Sequence, residues 1–248
     1  MTEYTVVNLS GGKDSTAMFL RMVEIGEHID EVVSCDTTKE FPAMYRHIDR
    51  LREVAERNGI KFTVLRAEHD FDYYFAEKTV VSAKYENRKG YSWAGPLNRW
   101  CTSKMKISIM EKYFRALRKT HNLVQCIGIA EDEQRRLERQ YAKKDRYRFP
   151  LVEWGWTEQM CLDYCYSQGY DWEGLYGIFK RVSCWCCPLK SLAELKKLRK
   201  HFPDLWEELR DMDRRTWRKF KPDYSVEDLE RRFAAEDAQI EFDLEEQK

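Results

Sequence analysis

Short apolar runs alternate, over the first part of the chain, with stretches whose apolar residues recur every three or four positions. Tyr4 to Leu9 is such a run and ends in Ser10-Gly11-Gly12, which predicts a buried strand meeting a tight turn. From Ser15 to Ile25 the spacing of Met18, Phe19, Met22 and Val23 is helical. Glu31 to Cys35 predicts a second strand, Pro42 to Asn58 a helix stopped by Asn58-Gly59, and Lys61 to Leu65 a third strand. Strands alternating with helices predict parallel βαβ units: an α/β fold, Rossmann-like, with helices on both faces of the sheet.

The pattern breaks at Asp70 to Arg99, a polar and aromatic stretch that predicts a mobile excursion over one sheet edge. It returns with a helix near Ser103 to Thr120 and a strand near Leu123 to Ile129. Beyond Pro150 aromatic residues crowd Trp154 to Phe179, cysteines cluster at 184–187, and the remainder is helical and charged. The expected organisation is a nucleotide-binding α/β domain over 1–150 and a smaller, mostly helical, cysteine-containing subdomain over 151–248. The acidic end from Glu236 onward predicts a fraying, solvated tail.

Composition narrows the classes. The 248 residues carry 43 basic and 43 acidic side chains, so indiscriminate binding to nucleic acid is not expected, although a local basic face is compatible with neutrality. No run approaches the ~18 apolar residues of a membrane span. No signal peptide precedes the first apolar stretch, so the expected setting is cytoplasmic and reducing, and the eight cysteines call for an explanation other than disulfides.

Ser10-Gly11-Gly12-Lys13-Asp14-Ser15 combines small residues, which let a backbone approach an anion, with a cation and two hydroxyls at a helix start. It is neither a Walker A loop nor a dinucleotide fingerprint, because both spacings are absent. A plain strand-to-helix turn would need only the glycines. Three thiols within four residues, Cys184-Trp185-Cys186-Cys187, are a metal-ligand pattern that still lacks a partner from elsewhere. Cys35 and Cys126 on strands, and Cys161 and Cys165 on a helix, suit core packing. The five histidines show no paired ligand spacing.

The loop resembles the signature of the PP-loop ATP pyrophosphatases, also called adenine nucleotide alpha hydrolases. The segments Asp36-Thr37 with Glu40-Phe41-Pro42, Arg99-Trp100-Cys101-Thr102 with Lys104 and Lys106, Gly128-Ile129 with Asp132-Glu133 and Arg136, Pro150-Leu151 with Trp154 and Thr157-Glu158, and Cys184-x-x-Cys187-Pro188 narrow the resemblance. In that order, over roughly residues 4 to 190, they are similar to the branch related to phosphoadenosine phosphosulfate (PAPS) reductase. The resemblance implies that Ser10, Gly11, Gly12, Lys13, Asp14 and Ser15 hold the phosphates of ATP, with Mg2+ near Asp14. Asp36, Thr37, Arg99, Lys104 and Gly128 would border the nucleotide, and Lys13, Asp14 and Arg136 would act in catalysis. Asp36 at a strand end would equally serve as a cap for the following turn.

The same resemblance implies a metal centre on Cys101, Cys184 and Cys187, with Cys186 a spare thiol or a fourth ligand. Three thiolates suit a [4Fe–4S] cluster with one open iron, and four suit a closed Zn2+ site. The expected activity is adenylation with pyrophosphate release, followed by sulfur transfer to an RNA, a DNA or a small molecule, with a sulfur- or electron-donor protein as a further partner. A sulfonucleotide reductase releasing sulfite is the alternative. Against it stand the Gly-Gly-Lys-Asp form of the loop and the position of the last cysteine, Cys187, well before a C-terminal tail. A non-catalytic nucleotide-binding subunit is a third reading. The basic run Lys143, Lys144, Arg146 and Arg148 fits a solvated face and nucleic-acid contact equally well.

Overall fold

The computed structural model describes residues 2–81, 88–139 and 146–245. Along the chain β1 (Glu3–Leu9), α1 (Lys13–Glu24), β2 (Glu31–Asp36), α2 (Pro42–Arg57) and β3 (Lys61–Arg66) follow one another. Two short strands, β4 (Thr79–Val80) and β5 (Arg88–Lys89), precede α3 (Trp100–Thr102), a π-helical turn over Ser103–Ile107, and α4 (Ser108–Leu117). Then come β6 (Asn122–Ile127), α5 (Gln134–Leu137), β7 (Tyr147–Arg148), α6 (Pro150–Glu153), α7 (Glu158–Ser167) and α8 (Leu175–Ile178). The chain finishes with α9 (Leu192–His201), α10 (Pro203–Arg214) and α11 (Val226–Glu245).

The chain forms two compact units, one of residues 1–68 and 102–183, the other of residues 69–101 and 184–248. The first is an α/β unit around a five-stranded sheet of order β3-β2-β1-β6-β7, in which every pairing is parallel. Consecutive residues Val6 and Val7, and Val32 and Val33, are all buried, as expected of a parallel sheet covered on both faces. α4 covers one face, where Phe114 packs with Val6, Val33 and Leu123. On the same element Tyr113 donates to Glu31, a fully buried carboxylate of β2 that also takes hydrogen bonds from Tyr4 and Thr63 and an ion pair from Lys61 at 3.0 Å. The strand order puts β1 in the middle of the sheet, so the loop after it opens at the carboxyl ends of central strands.

The second unit takes in the aromatic stretch that the sequence suggests is a mobile excursion. Its large side chains are core: Phe75 and Trp93 are buried with centroids 4.5 Å apart, and Trp93 meets Phe220 edge-on at 4.9 Å. Trp93 Nε1 and the Val226 amide both donate to Asp213, each at 2.7 Å, tying this stretch to α10 and α11. α9 begins with a capping box in which Ser191 and Glu194 satisfy each other's amides.

The acidic end is not a fray as expected, since α11 runs to Glu245. Glu236 and Asp237 pair with Lys196 at 3.0 Å, so the charges that look solvated in sequence face a basic helix. The expected domain boundary near residue 150 falls inside the first unit. No helix among the described residues is long and apolar enough to cross a membrane.

Candidate functional site

The loop between β1 and α1 is shaped by its lack of side chains. Gly11 sits at φ +76°, and a Cβ there would come 2.7 Å from Met44 Sδ and 2.8 Å from Ile48 Cδ1. Gly12 caps α1 in an extended conformation with no side-chain hydrogen bond to the first turn. Gly128, just after β6, lies so close that a Cβ would be 2.7 Å from Ser15 Cα and 2.8 Å from Ser15 N. The end of β6 can therefore abut the start of α1 only because residue 128 has no side chain. Ser15 Oγ accepts from Ser10 N at 3.2 Å, lies 2.9 Å from Ser10 Oγ and donates to Gly12 O at 3.1 Å. The two serines close the loop on itself.

Charge is concentrated beside it. Lys13 Nζ donates to Glu158 Oε1 at 2.9 Å and lies 3.3 Å from Asp14 Oδ1. Asp14 Oδ1 is buried and accepts no hydrogen bond, while Oδ2 accepts from Lys13 Nζ at 3.5 Å. Burial pushes the Asp14 carboxyl up to about 6, Lys13 opposing this and the neighbouring Glu158 and Glu133 adding to it. For Lys13, burial works against the charged form, but Glu158 and Asp14 outweigh it and hold the ammonium above its ordinary value.

Among the described residues, one oxygen each of Asp14, Glu133 and Glu158 all lie within 4.8 Å of one another. Oxygen donors of this kind suit a hard divalent cation. Glu133 is oriented by Arg136 Nη1, at 2.6 and 2.8 Å from its two oxygens.

Groups from α7 and the chain that follows it hold the loop in place. Trp172 Nε1 donates to Gly11 O at 2.7 Å, Lys13 N donates to Tyr176 Oη at 2.9 Å, and Cys165 Sγ donates to Lys13 O at 3.5 Å. Burial pushes the Tyr176 phenol up to about 12 and the Cys161 and Cys165 thiols further up, so all three are neutral at pH 7. His47 Nε2 meets Thr16 Oγ1 at 2.9 Å, and burial drives its pKa down to about 3.

The other sequence-derived candidates divide. Asp36 accepts from Thr38 N, Tyr45 Oη and Arg66 Nε, and the cap of α2 is Phe41, so Asp36 shapes its own turn rather than capping the helix. Thr37 is buried and donates to Glu40. Lys104 is exposed in the first unit, where Lys106 lies 3.5 Å from Glu40. Arg99 and Cys101 belong to the second unit and Arg99 is exposed.

Of the basic run, Arg148 pairs with Glu27 and Glu153, at 2.5 and 2.7 Å. Lys143 and Lys144 lie outside the described residues. Glu158, Tyr176 and Trp172 as loop partners went unread in sequence. Glu158 lay inside a quoted motif, while nothing in the pattern marks Tyr176.

Cys101, Cys184, Cys186 and Cys187 all belong to the second unit. Cys186 is buried and the other three are half-buried. Cys187 N donates to Cys184 O at 3.2 Å, a turn that carries both thiols. Lys190 is buried beside Cys184, Cys186 and Cys187, and burial lowers its pKa against the pull of Glu194 and these thiols.

The family model described as the phosphoadenosine phosphosulfate reductase domain matches residues 4–190. The chain belongs to this family. Two uncharacterized proteins of Methanocaldococcus jannaschii are similar to this PAPS reductase family member. MJ0066 is 28% identical over 218 residues, which is 82% of this chain and 40% of that protein. MJ0973 is 25% identical over 224 residues, 84% of this chain and 47% of that protein. The chain thus spans less than half the length of these relatives. Among solved structures, the U34-tRNA thiolase NcsA from Methanococcus maripaludis with its [4Fe-4S] cluster aligns with a TM-score of 0.41 and 16% identity, covering 86% of this chain and 71% of that one.

Proposed function

We propose that this PAPS reductase family member is an ATP-dependent adenylating enzyme that releases pyrophosphate and passes sulfur to a nucleic acid or small molecule. One observation carries the reading: a glycine-shaped loop at a helix start sets Lys13 against Asp14 and Glu158, two of three carboxylates that lie within 4.8 Å of one another. The open backbone of Gly11 and Gly12, the Ser10 hydroxyl and Lys13 form a cradle for phosphate oxygens. Asp14, with an orphaned buried oxygen, and Glu133 and Glu158 are a donor set suited to Mg2+. That ion would neutralise the charge that gathers on departing pyrophosphate. Arg136 orients Glu133 and is one contact removed from the loop. Lys13, released from Glu158 by the cation, would then stabilise the leaving group.

For the sulfur chemistry the reading is a [4Fe–4S] cluster, with a closed Zn2+ site the alternative for the same thiols. Cys101, Cys184 and Cys187 would hold the cluster, with buried Cys186 left as a spare thiol, and an open iron would supply a place for sulfide.

Incubation with magnesium ATP and candidate acceptors tests the reading. Pyrophosphate should appear in the presence of the right acceptor and AMP once added sulfide displaces it, and Lys13→Ala should abolish both. Sulfite release from a sulfonucleotide, without pyrophosphate from ATP, would replace adenylation by reduction.

A further inference from the structure

The second unit carries a strongly basic surface of its own. Two adjoining cavities of about 440 and 560 Å³ share Arg88 and Trp217 in their walls. Arg218 adds to the first, and Lys89, Arg214 and Arg215 to the second. Among the described residues lining them are five cations and no acidic side chain. Acids do contact these cations: Asp211 and Glu227 lie 2.6 and 3.9 Å from Arg214, and Asp72 lies 3.8 Å from Arg215. These are exposed pairs, worth little and easily traded for another anion.

In the midst of the cations stands Trp217, an indole 46% exposed between α10 and α11. It donates to Gly90 O at 3.4 Å, and the Arg88 guanidinium stacks on its ring at 4.4 Å. Hydrophobic driving force would bury such a ring, and neighbouring cations repel one another. A ligand with both negative charge and flat aromatic faces relieves both conditions at once. The cations are spread over two cavities rather than focused on one point, which suits a run of phosphates better than a single one.

We infer that the Arg88, Lys89, Arg214, Arg215, Trp217 and Arg218 surface binds single-stranded nucleic acid, phosphates on the cations and a base against the exposed indole. A single strand rather than a duplex follows from the indole, because only an unpaired base offers its face. As a binding surface the inference stands on the second unit alone. As the identity of the acceptor class it rests on the adenylation reading above.

Fluorescence anisotropy with labelled single-stranded RNA and DNA of about 12 nucleotides is the test, on the full chain at low salt. Binding should weaken with salt, the log–log slope being about −2 if roughly three phosphates are neutralised. Trp217→Ala should weaken binding about tenfold or more, Trp217→Phe should retain most of it, and Lys89→Glu with Arg215→Glu should weaken it and flatten the salt slope.

ATP binding, measured in each variant, reports on the first unit and on folding. Trp217→Phe and the charge variants stand in should Trp217→Ala fail to fold. Absence of single-strand binding in the wild type would overturn the inference. So would equal binding of duplex or inorganic polyphosphate, or affinities unmoved by these substitutions. Pyrophosphate release is read separately: a chain that binds strands but never releases pyrophosphate refutes adenylation and leaves this surface intact.

Discussion

A methyl group at residue 128 would have to displace backbone, because the atoms it meets are Ser15 Cα and N. Side chains can rotate away from an intruding atom, whereas the first turn of α1 cannot move without dragging Lys13 and Asp14. Gly128→Ala should therefore cost about 1–3 kcal/mol of stability and weaken nucleotide binding more than tenfold, read by urea unfolding and nucleotide titration. Wild-type values in both would show that the close approach has no bearing on the loop. Glu158→Gln acts differently, removing one charge of the carboxylate trio and the partner of Lys13 without disturbing the loop's shape. It should lower affinity for magnesium ATP while leaving the unfolding midpoint nearly unchanged, since Glu158 is half exposed. At this scale the sequence was informative for Lys13 and Asp14, whose types and spacing name their chemistry. It was silent on Tyr176 and Trp172, because a hydrogen bond from 161 or more positions away leaves no local pattern.

The strands were legible because a parallel sheet buries both faces and so writes continuous apolar runs. What the pattern hid was the polar knot at the start of β2. Glu31 reads as a surface residue, yet it is fully buried and gathers Tyr4 from β1, Lys61 and Thr63 from β3 and Tyr113 from α4. Burial raises its pKa, but the hydrogen bonds from Thr63, Tyr113 and Lys61 prevail and hold it below the ordinary glutamate value. A carboxylate lowered in the folded state stabilises the protein above the unfolded pKa of about 4.3. That contribution is lost as pH falls through the lower folded value. Glu31→Gln should cost about 1–3 kcal/mol at pH 7 and flatten the acid limb of stability. Urea midpoints measured from pH 7 down to about 3 would show wild type and variant converging at the acid end. A constant gap across that range would mean that Glu31 acts by packing alone. The helix expected from Ser103 also begins with a π turn over Ser103–Ile107, which shifts the face that α4 presents and which apolar periodicity does not register.

At the scale of the whole molecule, the second unit is assembled from two stretches separated by most of the first unit, residues 69–101 and 184–248. No composition change along the chain announces such a join, which is why the aromatic stretch read as an excursion rather than as core. The same assembly brings Cys101 into one unit with Cys184, Cys186 and Cys187, so the proposed ligands, drawn from distant parts of the sequence, fall within one folding unit. Lys190 is buried beside this turn and Lys221 donates to Pro188 O and Lys190 O, and burial lowers the pKa of both lysines. Protein purified without oxygen should then be brown and hold about four irons with matching sulfide per chain. Cys101→Ser, Cys184→Ser and Cys187→Ser should each lose the cluster, whereas Cys186→Ser should keep it. Loss of the cluster from Cys186→Ser as well would make all four cysteines necessary. Zinc in place of iron would replace the cluster by a closed site that takes Cys186 as its fourth thiolate. Ellman titration of the metal-free chain separates the cases further: half-buried Cys184 and Cys187 should react before buried Cys186. A Cys186 that reacts first would place the spare thiol, and hence the assignment of ligands, elsewhere in the turn.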